Sequence, residues 1–155
     1  LARIMVFLNP SLDPQGAGYQ ITQAAIAIGS GGFWGLGFGR GVQKYQYLPE
    51  PMGDSIFAVL GEEMGFVGVI ALIGLFSFFF LSALRVAKRA PDVFGRLLAS
   101  GISIGIMTQA FVNMAAISGL LPLTGIPLPF VSYGGTSLAV TLASVGILMN
   151  ISRHT

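Results

Sequence analysis

From Leu97 to Ser152 the chain runs 56 residues without one charged side chain. An ordinary soluble domain carries about 25% charged residues. This chain of 155 residues carries 9%, with 54% in the apolar classes. Such a balance excludes a disordered tail, a nucleic-acid binder and an ordinary cytosolic enzyme. A helix crosses the hydrocarbon core in about 20 apolar residues. The charge-free stretch is too long for one crossing, and Pro122, Pro127 and Pro129 divide it. It reads as two spans, 97–121 and 134–151, joined by a loop over 122–133. A third span, 64–84, is a separate run of 21 uncharged residues. The fold class expected is all-α: a polytopic membrane fragment of three transmembrane helices, with a large outer-face loop holding short helices.

Basic residues in short loops set the orientation. Arg85, Lys88, Arg89 and Arg96 mark the loop 85–96 as cytoplasmic. The tail 152–155 with Arg153 lies two spans further on and is cytoplasmic too. By alternation, residues 1–63 and 122–133 face outward. A leading outer segment of that length needs an upstream translocating element, so the chain reads as the C-terminal piece of a larger polytopic protein. The absence of Cys excludes a thiolate metal site or a Cys nucleophile, and the single His, His154, sits second from the end. A Ser-His-Asp triad and a His-based metal site are therefore not expected.

The outer segment holds most of the acids. Asp13, Glu50, Asp54, Glu62 and Glu63 stand there, five of the six in the chain, and the last four fall within fourteen residues. Tyr19–Ile28 reads as a short interfacial helix, with Gln20 and Gln23 on one face and Ile21, Ala25 and Ile28 opposite. Residues 29–41 (GSGGFWGLGFGRG) form a turning or flexible loop, since Gly accepts positive φ without strain. A dinucleotide fingerprint fails there, because Trp34, Arg40 or Val42 falls where the third Gly belongs. Pro49 and Pro51 keep residues 45–51 extended. A helix then starts near Ser55, with Asp54 placed as its N-cap. In the spans, Gln109 and Asn113 share a helix face. They read as glue between helices, or as a polar path. Gly101 and Gly105 make a GxxxG, the mark of a close helix contact.

Ordered landmarks carry a resemblance: GYQ, GSGG, QKYQYLPEPMGDSIFAVLGEEMGFVG, LLPLTGIPLPFVSYGGTS and GILMNISR. Together they resemble the C-terminal part of the SEDS family, the FtsW/RodA/SpoVE group of cell shape, division and sporulation proteins, and more nearly its FtsW/SpoVE branch. The resemblance implies a multi-pass protein of the bacterial cytoplasmic membrane with its C-terminus in the cytoplasm. It implies a peptidoglycan glycosyltransferase that polymerises lipid II into glycan strands, most of whose other helices lie outside this chain. The partners implied are lipid II and undecaprenyl-linked glycan, a class B penicillin-binding protein and other divisome proteins, with no nucleic acid. No organic cofactor is expected; a divalent cation, Mg2+ or Mn2+, suits the chemistry.

The family's essential acid follows LPE in the pattern LPE-x-H-T-D, and maps onto Asp54. Met52 and Gly53 stand where His and Thr are usual. Asp54 is expected as the general base for the attacking sugar hydroxyl, or as a cation ligand against the leaving pyrophosphate. Glu50 would add a second carboxylate to such a cation. Arg40 and Lys44 are the outer-face cations placed to meet a pyrophosphate. Glu62, beside Glu63, would line the cavity. Ser132, Tyr133 and Thr136 would offer hydroxyls to sugar or phosphate oxygens from a re-entrant loop. Two other functions fit the same features: a flippase or transporter for the lipid, and a scaffold that positions a transpeptidase.

Overall fold

The computed structural model describes Phe7, residues 16–41 and residues 53–153; the remaining residues, including Lys44 and Glu50, lie outside it. Four helices carry the described chain: α1, Ala17–Gly31; α2, Ile56–Arg89; α3, Val93–Ile117; and α4, Gly135–Ser152. There is no strand among the described residues. Helices α2, α3 and α4 are each long and apolar enough to cross a membrane. They run alternately, so the start of α2, the end of α3 and the start of α4 fall toward one end of the bundle. Large apolar side chains such as Leu75, Phe78 and Val140 point outward from all this length.

Sequence chemistry explains the helix ends. Asp92 caps α3, its Oδ2 accepting from the Gly95 N–H at 2.7 Å. A cap of this kind is worth about 1 kcal/mol. The other end of α3 closes on Gly119, at φ 73°. There the Gly119 N–H donates to the Ala116 carbonyl and the Leu120 N–H to the Ala115 carbonyl. Both bonds satisfy carbonyls that a helix end leaves open, and the first non-helical residue must take the left-handed conformation, which Gly does at no steric cost.

Helix α2 is broken. Gly65 sits at φ 63°, ψ −161°, dividing it into an arm of residues 56–64 and an arm of residues 66–89. The Gly-rich loop after α1 fills the break. The N–H groups of Leu36 and Gly37 donate to the carbonyls of Glu62 and Glu63, at 3.0 and 3.1 Å. In return the N–H groups of Phe66 and Val67 donate to the carbonyls of Gly32 and Phe33, at 2.9 and 3.3 Å. This exchange brings backbone against backbone. A Cβ on Gly31 would lie 2.0 Å from the Gly61 carbonyl oxygen, and one on Gly35 2.1 Å from that of Glu63. The glycines are thus a clamp as well as a turn.

The main core lies at the end of the bundle that holds α1. Phe57, Ala58, Leu72 and Phe76 of α2 meet Ala110, Met114 and Ile117 of α3, with Ala24 and Ala27 of α1 completely buried. Helix α1 therefore packs by its alanine stripe. Ala25 is exposed, contrary to the face division expected from its pattern, while Ile21 and Ile28 flank the contact. The small residues Ala83, Ala87 and Ala99 let α2 and α3 approach at the other end, where Leu148 of α4 joins them. Gly101 and Gly105 are exposed, and the close contact expected of them is not made among the described residues.

Between α3 and α4 the chain turns back into the bundle. Residues 122–128 form no regular element. Gln109 Nε2 donates to the Pro127 carbonyl at 2.9 Å, and Asn113 Nδ2 to the Ile126 carbonyl at 2.8 Å. The two side chains, one helical turn apart, hold the descending backbone against α3. Phe130 stands at φ 65°, the positive-φ non-glycine residue of the described chain. Its ring sits 5.7 Å from Phe79 and 6.5 Å from Phe76, between centroids. The re-entrant loop therefore reaches the middle of α2 at Phe130, and α4 follows with its 18 residues.

Candidate active site around Asp54

Asp54 lies in the turn before α2 and is half-buried. Helix α2 starts at Ile56 with Ser55 at the N-cap position, and the Ser55 side chain makes no cap bond. The expected capping role for Asp54 is not observed. Its carboxylate is drawn sideways to α1, where Gln20 Nε2 donates to Oδ1 at 3.2 Å. The same Nε2 lies 2.9 Å from Ser55 Oγ, and that hydroxyl is 3.4 Å from Oδ1. A carboxylate is acceptor-only, so the amide facing it must present its N–H2. On the other side, Asn113 Nδ2 donates to the Asp54 carbonyl at 2.9 Å. The same nitrogen therefore bonds both the Asp54 turn and the re-entrant loop. Asn113 is 2% exposed, and its Oδ1 has no hydrogen-bond partner among the described residues. The remaining carboxylate oxygen of Asp54, Oδ2, faces Gly125, where a Cβ would come within 3.9 Å of it. Asp54 thus sits where α1, α2, α3 and the re-entrant loop converge.

The other expected site residues divide. Glu62 and Glu63 are buried on the first arm of α2, at 1% and 7% exposure. Glu62 abuts Gly41, where a Cβ would fall 2.8 Å from Oε2. Arg40, just before it, is exposed. Ser132 is buried, and its Oγ accepts from the Leu128 N–H at 2.7 Å, closing the turn around Phe130. Its hydroxyl oxygen is thus engaged inside the loop. Tyr133 is 85% exposed and Thr136 is exposed. Ser132 and Tyr133 border a hollow of about 460 Å³ that also touches Ile56, two residues from Asp54. Thr136 is not among its lining residues. Lys44 and Glu50 fall outside the described residues.

Two residues central to this geometry, Gln20 and Asn113, have weak sequence signals. Gln20 looks like the polar face of an interfacial helix. Asn113, like Gln109, looks like glue between two helices. Both amides on α3 hold loop backbone instead, because an irregular segment buried at this depth leaves carbonyls that need donors. The signal available was an amide pair one turn apart, opposite a Pro-rich segment that cannot bond itself.

Comparison with known proteins decides the family. The family model for FtsW, RodA and SpoVE, described as cell cycle protein, matches residues 1–155. The chain belongs to the FtsW/RodA/SpoVE family. Among its relatives, a probable peptidoglycan glycosyltransferase FtsW of Trichlorobacter lovleyi is 53% identical over 98% of this chain and 40% of its own length. Stage V sporulation protein E of Bacillus subtilis is 47% identical, over 99% of this chain and 42% of its own. The peptidoglycan glycosyltransferase MrdB of Escherichia coli is also 47% identical, over 98% and 41%. The chain thus spans about two fifths of these FtsW/RodA/SpoVE relatives. Among solved structures, a chain of a peptidoglycan synthase complex studied for polymerization and crosslinking matches with TM-score 0.81 and 32% identity, over 98% of this chain and 41% of that one. An aspartate-to-alanine mutant of the Thermus thermophilus rod shape determining protein RodA matches with TM-score 0.64 and 26% identity, over 98% and 56%.

Proposed function

We propose that this chain is the C-terminal portion of a peptidoglycan glycosyltransferase of the bacterial cytoplasmic membrane, polymerising lipid II during cell division. In this reading Asp54 faces outward and the C-terminus lies in the cytoplasm. The observation that carries it is the convergence on Asp54: α1 reaches its carboxylate, α3 reaches its main-chain carbonyl, and Gly125 of the re-entrant loop lies beside Oδ2. The names of the relatives give the reaction class.

Asp54 Oδ2 takes the proton from a sugar hydroxyl as that oxygen attacks the anomeric carbon of a second lipid-linked sugar. A new glycosidic C–O bond forms. The bond to undecaprenyl pyrophosphate breaks, and its electron pair leaves on the pyrophosphate oxygen. Lys44 and Arg40 would receive that charge, and Tyr133 would meet the sugar from the hollow beside Ile56. The alternative role for Asp54 is to hold a divalent cation in place of taking the proton. Asp54 offers a single hard oxygen, and Mg2+ is commonly held by one or two carboxylates together with waters and substrate phosphates. No group of three acids or histidines is found among the described residues, so the substrate or Glu50 would complete the set. When bound, the cation would neutralise charge on the leaving pyrophosphate. A class B penicillin-binding protein is the partner that would crosslink the strands, a reading supported by the synthase complex.

The test uses the full-length protein, purified and given labelled lipid II with Mg2+. The parent should form glycan polymer, and Asp54→Asn, which keeps the shape of the side chain, should form at least 100-fold less, the order lost when a general base is removed. Normal polymer from Asp54→Asn refutes the catalytic role. No polymer from a well-folded parent favours lipid transport or scaffolding.

A further inference from the structure

We propose that Gln20 is a positioning residue for Asp54: its amide holds Oδ1, so that Oδ2 is the oxygen presented to the reacting hydroxyl. This rests on the reading of Asp54 as the base. Three observations carry it. Gln20 crosses from α1 to another segment, 34 residues away in sequence, to reach Oδ1. The same nitrogen reaches Ser55 Oγ, which fixes the amide plane from a second, fully buried point. Oδ2 has no donor among the described residues and looks over Gly125, at φ 68°, where no side chain intervenes.

The two oxygens therefore differ. Oδ1 accepts from the amide, while Oδ2 keeps its lone pairs open. Gln20 thereby stops the carboxylate from rotating and fixes which oxygen faces the reacting hydroxyl.

The readout is the split between kcat and KM for lipid II polymerisation by the full-length protein. Gln20→Leu removes the donor to Oδ1 and should lower kcat about 10-fold with KM little changed, the mark of a misplaced reacting group. Gln20→Glu keeps the side-chain size, loses the N–H donor, and serves the test if Gln20→Leu fails to fold. An unchanged kcat in the folded variants, or a loss carried by KM alone, overturns the proposal and leaves Gln20 a packing residue. Asp54→Asn separates the two failures. If Asp54→Asn is inactive while the Gln20 variants keep their kcat, only the Gln20 proposal falls. If Asp54→Asn still polymerises, the reading of Asp54 falls and takes this one with it.

Discussion

Asn113 uses one nitrogen for two carbonyls, those of Asp54 and Ile126, 59 and 13 residues away. Removing it takes the side-chain donor from two part-buried backbone acceptors. Asn113→Leu in the full-length protein should cost about 1–3 kcal/mol, measured by unfolding in mixed micelles. Gln109→Leu loses the single bond to Pro127 and should cost less. Equal effects would show that the Asp54 turn does not depend on Asn113. At this scale the sequence was informative about identity and silent about direction. Asp54 stood out because it follows LPE where the resemblance places the family's acid. The donors around it did not, because Gln and Asn in a span serve helices, loops or ligands equally well. Ser132 carries a role that its sequence context did not show: its hydroxyl accepts from the Leu128 N–H inside its own loop.

Among the elements, α3 follows its sequence closely, with an Asp cap at one end and a Gly stop at the other. Helix α2 does not. Its apolar run gives no sign of a break, since Gly is tolerated inside a helix. The break comes from a partner segment remote in sequence, which local pattern cannot report. The glycines differ accordingly. Gly65→Ala puts a Cβ 2.3 Å from the Gly35 nitrogen and forces a side chain to φ 63°. The backbone strain alone is worth about 1–3 kcal/mol. Gly101→Ala meets nothing within 4 Å in a regular helix. It should stabilise by up to about 1 kcal/mol. Thermal unfolding of both full-length variants checks this: Gly65→Ala lowers the midpoint and Gly101→Ala does not. A large loss at Gly101 would place another helix of the whole protein against that face.

For the whole molecule, the three long helices and their apolar outer faces were legible from charge spacing alone, because lipid imposes a composition that water does not. A re-entrant loop was expected too, but not that it would reach Phe76 and Phe79, because three prolines predict a break and not its depth. The proposed orientation can be checked with the absence of Cys in this chain as background. In full-length protein freed of other cysteines, Tyr133→Cys should react with an impermeant thiol reagent on intact spheroplasts. Lys88→Cys should react only after permeabilisation. The opposite pattern would invert the topology and put Asp54 on the wrong side for lipid II polymerisation. One consequence concerns assembly. Four backbone groups beside Gly65 bond to residues 32–37. Without that loop, an unbroken helix is the cheaper state for α2, because it satisfies those groups internally. The break and the docked glycine loop thus stand or fall together, because the loop supplies the partners that a broken α2 needs.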